Sequence, residues 1–205
     1  MMRYLLFASI LLLAGCATET KLSTTKTDNC LLSAAPDLKN ELYRASVDVY
    51  DHHISGLMFF KTMPDSSKNV VFTTETGVTF FNFAWSKSGK FEVKYVLKKL
   101  DRKVIINLLR KDFELIIVPE SYRVKATREG DGTHAVQLKK ETAYFTTSED
   151  CSFIEKAEVR HGDQLKTRIN FFPAKKNIPD SVYIEHLNFN MKLAFGRIVR
   201  DHVTE

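Results

Sequence analysis

From residue 43 onward, apolar and polar positions alternate with a period of two over short runs bounded by turn-forming residues. That is the signature of half-buried β-strands. Residues 43–50 carry Val47 and Val49 between polar neighbours, and residues 54–62 follow. Pro64-Asp65-Ser66-Ser67 makes a turn. Strands 69–73 and 78–85 flank Thr74-Glu75-Thr76-Gly77, and Ser86-Lys87-Ser88-Gly89 leads into 91–97. Five antiparallel strands in a meander are predicted, all with loops of hairpin length.

The period then changes. Over residues 100–113, Leu100, Val104, Ile105, Leu108, Leu109 and Phe113 recur three or four residues apart, which predicts one amphipathic helix. Asp101 is its expected N-cap, and Leu100 and Ile105 are spaced as a hydrophobic staple. The opposite face carries Lys98, Lys99, Arg102, Lys103, Arg110 and Lys111. Basic residues near a helix N-terminus oppose its dipole, so tertiary burial of the apolar stripe must keep this segment helical. Strand patterning returns at 122–129 and 134–139 around Gly130-Asp131-Gly132, and then at 142–147, 152–160, 165–172 and 181–186. Phe189, Met191, Leu193 and Phe195 alternate cleanly along the last strand. A short helix is expected over 37–44, with Asp37 as N-cap.

About eleven or twelve strands and one mid-chain helix leave few architectures. A sheet of that size curls, and its concave face must be filled. The expected fold is therefore mainly β: an open or incomplete antiparallel barrel, its concave face covered or plugged by the amphipathic helix. No internal repeat and no second domain is visible.

The 205 residues carry a formal charge of +5, spread along the chain, so a nucleic-acid partner is not indicated. Aromatic usage is skewed, with 15 Phe and 7 Tyr against one Trp. Such a chain has either a heavy core or an apolar cavity.

The N-terminus reads as an export signal. Met1-Met2-Arg3 is a small basic region, and residues 4–15 are apolar and end in small residues. At roughly 12 residues this run is too short to span a bilayer. It closes on Leu13-Ala14-Gly15-Cys16, which resembles the bacterial lipobox, whose cysteine receives a diacylglycerol and becomes the acylated first residue after cleavage. The chain is thus divided into a signal peptide (1–15), a lipidated Cys16 with a Thr- and Ser-rich flexible tether (16–36), and one globular domain (37–205). A tether of about 19 such residues has a root-mean-square span of roughly 25 Å. With Cys16 committed to lipid, Cys30 and Cys151 remain. In an oxidising compartment they form a disulfide or stay as two free thiols, alternatives that sequence leaves open.

The order of these features resembles the LolA/LolB-type superfamily of lipoprotein carriers and receptors. The likeness runs from Ser55-Gly56-Leu57-Met58-Phe59-Phe60 through Val70-Val71-Phe72-Thr73-Thr74-Glu75-Thr76-Gly77-Val78 to Asp112-Phe113-Glu114-Leu115, and ends at Ile178-Pro179 and Met191-Lys192-Leu193. It implies an eleven-stranded half-barrel whose apolar cavity takes the acyl chains of lipoproteins. In the membrane-anchored branch, which the lipobox selects, it implies a receptor that accepts lipoprotein from a soluble periplasmic carrier and inserts it into the outer membrane. That branch carries a protruding apolar residue, typically Leu, between its third and fourth strands. Thr76 stands there in this chain, beside Glu75. Burying a hydroxyl and a nearby charge in lipid is unfavourable by several kcal/mol relative to Leu.

No enzyme signature stands out, and no cofactor or metal is expected. The neighbours His52 and His53 point to opposite faces of a strand, and the other histidines fall in turns or at strand ends, where solvated imidazoles are expected. The function must then lie in the aromatic strands. Phe81, Phe83, Trp85, Phe91, Val93, Tyr95, Leu108, Phe171, Met191, Leu193 and Phe195 are the expected cavity lining, an adaptable surface for acyl chains. The same alternation is equally explained by a filled core. The expected function is therefore a monomeric, lipid-anchored envelope protein at the outer membrane, facing the periplasm, that holds acyl chains or lipoprotein cargo. The alternative is a structural envelope lipoprotein whose closed core scaffolds a complex. The basic helix face is either solvated or turned to anionic head groups or an acidic carrier.

Overall fold

The computed structural model describes residues 29–130, 132–175 and 177–199. The expected signal peptide and the lipidated Cys16 therefore lie outside the described residues. The chain forms a single twelve-stranded antiparallel sheet that does not close, with one long helix lying across its concave face.

A short helix α1 (Asn29–Ser33) precedes five strands: β1 (Asn40–Val49), β2 (His52–Thr62), β3 (Lys68–Thr73), β4 (Thr79–Trp85) and β5 (Phe91–Val96). Helix α2 (Lys103–Ile117) and a 3-10 turn (Glu120–Lys125) lead to β6 (Ala126–Arg128), β7 (Thr133–Leu138) and β8 (Glu141–Thr147). The sheet is completed by β9 (Ile154–His161), β10 (Gln164–Lys175), β11 (Ile178–His186) and β12 (Met191–Arg197).

The spatial order is β5-β4-β3-β2-β1-β12-β11-β10-β9-β8-β7-β6. The first and last strands pair in the middle of the sheet, from Tyr43↔Arg197 to Val49↔Met191. Strands β5 and β6, consecutive along the chain, therefore sit at opposite edges. Their connection must cross a face of the sheet, and an apolar stripe on that connection makes the concave face the favourable one. This is why α2 lies where it does. Side chains pointing inward at every second position form the opposing wall, including Met58 and Phe60 on β2, Phe81, Phe83 and Trp85 on β4, and Leu193 and Phe195 on β12.

Three local expectations are corrected. Residues 37–44 are not a helix: Leu38 is buried in an extended approach and β1 begins at Asn40. Residues 29–36 are not a flexible tether, because Leu31 of α1 and Ala34 just after it are fully buried in the core, and residues 16–28 of the expected tether lie outside the described residues. Helix α2 starts and ends later than expected. Its N-cap is Arg102, with no side-chain cap, so Asp101 does not cap it. It runs on to Ile117 because Leu115, Ile116 and Ile117 are all buried, then stops at Val118 in a left-handed conformation (φ 40°).

Candidate functional site

The two halves of α2 meet the sheet differently. Beneath the second half the space is filled by rings. Phe113 has Phe81 at 5.6 Å, Phe60 at 6.2 Å, Phe195 at 6.4 Å and Trp85 at 6.5 Å between centroids. Polar ties hold this half as well: Trp85 Nε1 donates to Glu114 Oε1 (3.2 Å), and Lys68 Nζ donates to the carbonyl of Ile117 (2.8 Å), satisfying one of the last carbonyls of the helix. Burial depresses the Lys68 ammonium below its usual pKa.

Beneath the first half lies an apolar cavity of about 720 Å³. Its floor is Val47 and Val49 (β1), Ile54 and Met58 (β2), Phe72 (β3), Phe80 and Phe81 (β4), and Met191 and Leu193 (β12). Leu100, Val104, Ile105, Leu108 and Leu109 form the roof. Tyr50, Asn107, Lys111, Asn188 and Phe189 complete the wall. Tyr50 and Val104 are also strongly exposed, so the cavity opens to solvent at this end of the sheet. The roof has weak local support, since residues 103–108 are exposed or half-buried, the helix has no N-cap side chain, and no acidic residue sits in its first turn.

Of the lining residues expected from the sequence, Phe81, Leu108, Met191 and Leu193 border this cavity. The others are placed elsewhere. Phe83, Trp85 and Phe195 belong to the filled aromatic layer, because they sit further along their strands, under the second half of α2. Phe91 packs on Trp85 (5.2 Å) and Phe83 (5.3 Å) and is covered by the Arg110 guanidinium at 5.0 Å. On the same edge strand, Val93 packs half-buried against the core and Tyr95 is largely exposed. Phe171 is buried beside α1, against Ala34 and Ile154, on the far side of the sheet centre.

Phe80 is the lining residue that strand periodicity misses. It sits beside Phe81 and should face away from it. Between Phe72↔Phe81 and Thr73↔Thr79 the β3–β4 register shifts, leaving Phe80 as the extra residue of a bulge. The bulge turns the ring inward, where it stacks on Phe72 at 4.9 Å.

The histidines also depart from expectation. His134 and His186 are buried, not solvated. His134 Nε2 lies 3.1 Å from Thr147 Oγ1. His186 Nε2 is hydrogen-bonded to Asp112 Oδ2 on α2 (3.1 Å) and its Nδ1 to Thr167 Oγ1 (3.2 Å). The ring stacks on Phe189 at 4.9 Å, which in turn lines the cavity. The Asp112 and His186 side chains are only 2% and 1% exposed. Burial pushes the Asp112 carboxyl above its usual pKa, and the His186 contact works against that. An Asp on the otherwise apolar face of α2 was the available signal: Asp112 lies one residue before Phe113.

Cys30 and Cys151 are bonded, with Cα atoms 5.1 Å apart, which ties α1 to the β8–β9 turn. Thr76 lies in the exposed β3–β4 turn, its hydroxyl 2.9 Å from that of Thr74. No cluster of three or more His, Cys, Asp or Glu able to hold a metal occurs among the described residues.

No family model and no curated sequence matches the chain. Among solved structures it is similar to a LolA superfamily protein from Nitrosomonas europaea, at 9% identity over 87% of this chain and 95% of that one, with a TM-score of 0.48. A DUF1329 family protein from Desulfovibrio piger is similar at 10% identity over 89% and 95%, TM-score 0.46. A domain described as an outer membrane lipoprotein-sorting protein, from Vibrio parahaemolyticus, is similar at 7% identity over 85% and 90%, TM-score 0.45.

Proposed function

We propose that this protein is a lipid-binding carrier or receptor of the bacterial envelope. It is held to a membrane through acylated Cys16 and takes the acyl chains of a lipid or lipoprotein into the cavity under α2 by exchange, without covalent chemistry. The observation that carries the reading is the cavity itself: about 720 Å³ of apolar space that the Phe-rich core leaves unfilled. A methylene needs about the space of one water in the liquid, ~30 Å³, so the cavity holds on the order of two dozen methylenes. That is one long acyl chain or two short ones. Each methylene moved from water into the cavity contributes about 0.8 kcal/mol. In this reading the cargo arrives from a soluble periplasmic carrier and leaves to the outer membrane, and Thr76 is not the residue that probes the bilayer.

The filled layer around Phe113 favours the structural alternative for the second half of the helix only. The two readings separate on cavity filling. Full-chain protein carrying Cys16→Ser takes up a fluorescent fatty acid, and Met58→Trp or Leu108→Trp, each adding bulk to the cavity wall, lowers that uptake at least tenfold while the fold persists by circular dichroism. Wild-type protein that takes up no probe, or Trp variants that bind it undiminished, would sink the carrier reading.

A further inference from the structure

The mouth of the cavity lies at one end of the sheet, and the antiparallel order of the strands dictates what else gathers there. The turns after β1 (residues 50–51), β3 (74–78) and β11 (187–190) all lie at this end, as do the end of β5 and the start of α2. The backbone N–H of Tyr50 donates to the carbonyl of Asn190 at 2.9 Å, joining two of these turns. Five of the large apolar side chains that the fold leaves exposed are on these segments: Tyr50, Val78, Tyr95, Val104 and Leu187, between 47% (Tyr95) and 80% (Val104) exposed. A chain with enough core-forming residues to bury the rest gains nothing in stability by leaving these in water at a single end.

Charge is biased at the same end. Lys98, Lys99, Arg102 and Lys103 are exposed on the segment entering α2, and among the described residues none of them makes an ion pair. Lys139 and Lys140 extend the patch in the β7–β8 turn. Against them stand Asp51, Glu75, Asp101 and Asp163, and Glu75 is already 3.8 Å from Arg44.

We infer that this end of the molecule docks on an anionic phospholipid bilayer, with the cavity mouth facing the lipid. The apolar residues are single side chains on separate turns, divided by polar neighbours. A fluid interface accepts such scattered anchors, whereas a protein partner needs a contiguous surface of matching shape. A second copy of the same cationic end would be repelled. Near a negatively charged leaflet each Lys or Arg adds favourable attraction, and the exposed Tyr and aliphatic side chains enter the boundary between head groups and acyl chains. In conjunction with the proposed function, on which its purpose rests, the contact lets an acyl chain pass between cavity and bilayer without crossing water.

The test uses full-chain protein with Cys16→Ser, so that no acyl anchor competes, and sedimentation with vesicles of phosphatidylcholine alone or enriched in phosphatidylglycerol. The expected result is binding to the anionic vesicles that is about tenfold or more tighter than to the neutral ones, and weaker at high salt. K98Q/K99Q/R102Q/K103Q is expected to lose about tenfold or more of that binding. None of the four residues lines the cavity, so the variant keeps its uptake of fluorescent fatty acid. Equal binding to both vesicle types, or binding unaltered in the four-Gln variant, overturns the inference. Intact fatty-acid uptake without vesicle binding overturns this surface alone, while vesicle binding without uptake overturns the carrier reading and leaves the surface standing.

Discussion

Replacing His186 with Leu isolates the buried pair that pins α2 to the sheet. In the wild-type protein Asp112 and His186 are almost wholly removed from water and joined at 3.1 Å. The variant leaves the Asp112 carboxyl buried with that partner gone, and a broken buried pair costs about 3–5 kcal/mol. For a domain of this size each kcal/mol lowers Tm by roughly 2–4 °C, so a fall of roughly 6–20 °C is expected near neutral pH. The pH dependence carries the diagnosis. Burial already raises the Asp112 carboxyl pKa and His186 opposes the rise, so removing His186 raises it further. A carboxyl whose folded pKa lies above its unfolded value loses stability as pH rises through that interval and regains it on acidification. The deficit of the variant should therefore be largest at pH 7 and shrink toward pH 4. The fluorescence of Trp85, the one Trp and a fully buried one, follows both the thermal melt and urea denaturation at each pH. The double variant D112L/H186L should recover most of the loss, because no unpaired charge remains. A loss below about 1 kcal/mol at pH 7, or a deficit that widens on acidification, would show that the pair does not pin α2 in this way.

Three further outcomes are expected. Gly56→Ala places a methyl group against the carbonyl of Thr73 at the start of the β2–β3 pairing, and should cost about 1–3 kcal/mol in urea denaturation. Removing the Cys30–Cys151 bond as C30S/C151S opens a loop of 121 residues and frees α1, so a loss of about 2–5 kcal/mol is expected, reproduced by reductant on the wild-type protein. Glu158 is pushed up by burial, but Arg160 and Arg168, each donating at 3.0 Å, and Lys156 outweigh that and hold its carboxyl below the usual range. Its stabilising contribution is present above the unfolded pKa of 4.5 and is lost as pH falls through the lower folded value. Glu158→Gln should accordingly melt below wild type at pH 7, with the two melting curves converging below about pH 4.

Strand and helix type were largely legible in the chain. Period-two alternation marked the hairpins from β1 to β5 and the final strand, and the change of period marked α2. Elsewhere, a neighbouring turn or a contact between elements overrides the residue's own preference. Asp101 has the right chemistry for an N-cap, yet Leu97–Arg102 folds into successive tight turns and the helix starts after them. The Thr- and Ser-rich approach looked unable to bury anything, yet Leu31 is held in the core by the disulfide of its neighbour Cys30. Phe80 and Phe81 could not both face inward in a regular strand, and a bulge allowed it.

Residue spacing alone specified the run of strands and the amphipathic helix between them, because which residues can be buried on one face is a local property of that spacing. It could not divide the aromatic strands into filled and empty parts, because volume is decided between elements. Phe113, one turn beyond Leu109, meets four rings and closes its half of the concave face. Leu108 and Val104, shorter side chains than Phe, leave space above the floor unfilled, and a cavity remains. The meeting of Asp112 with His186, 74 residues away, was likewise decided only when α2 crossed the sheet. The pairing of β1 with β12 placed β5 and β6 at opposite edges, and the crossing helix then had to cover the face between them.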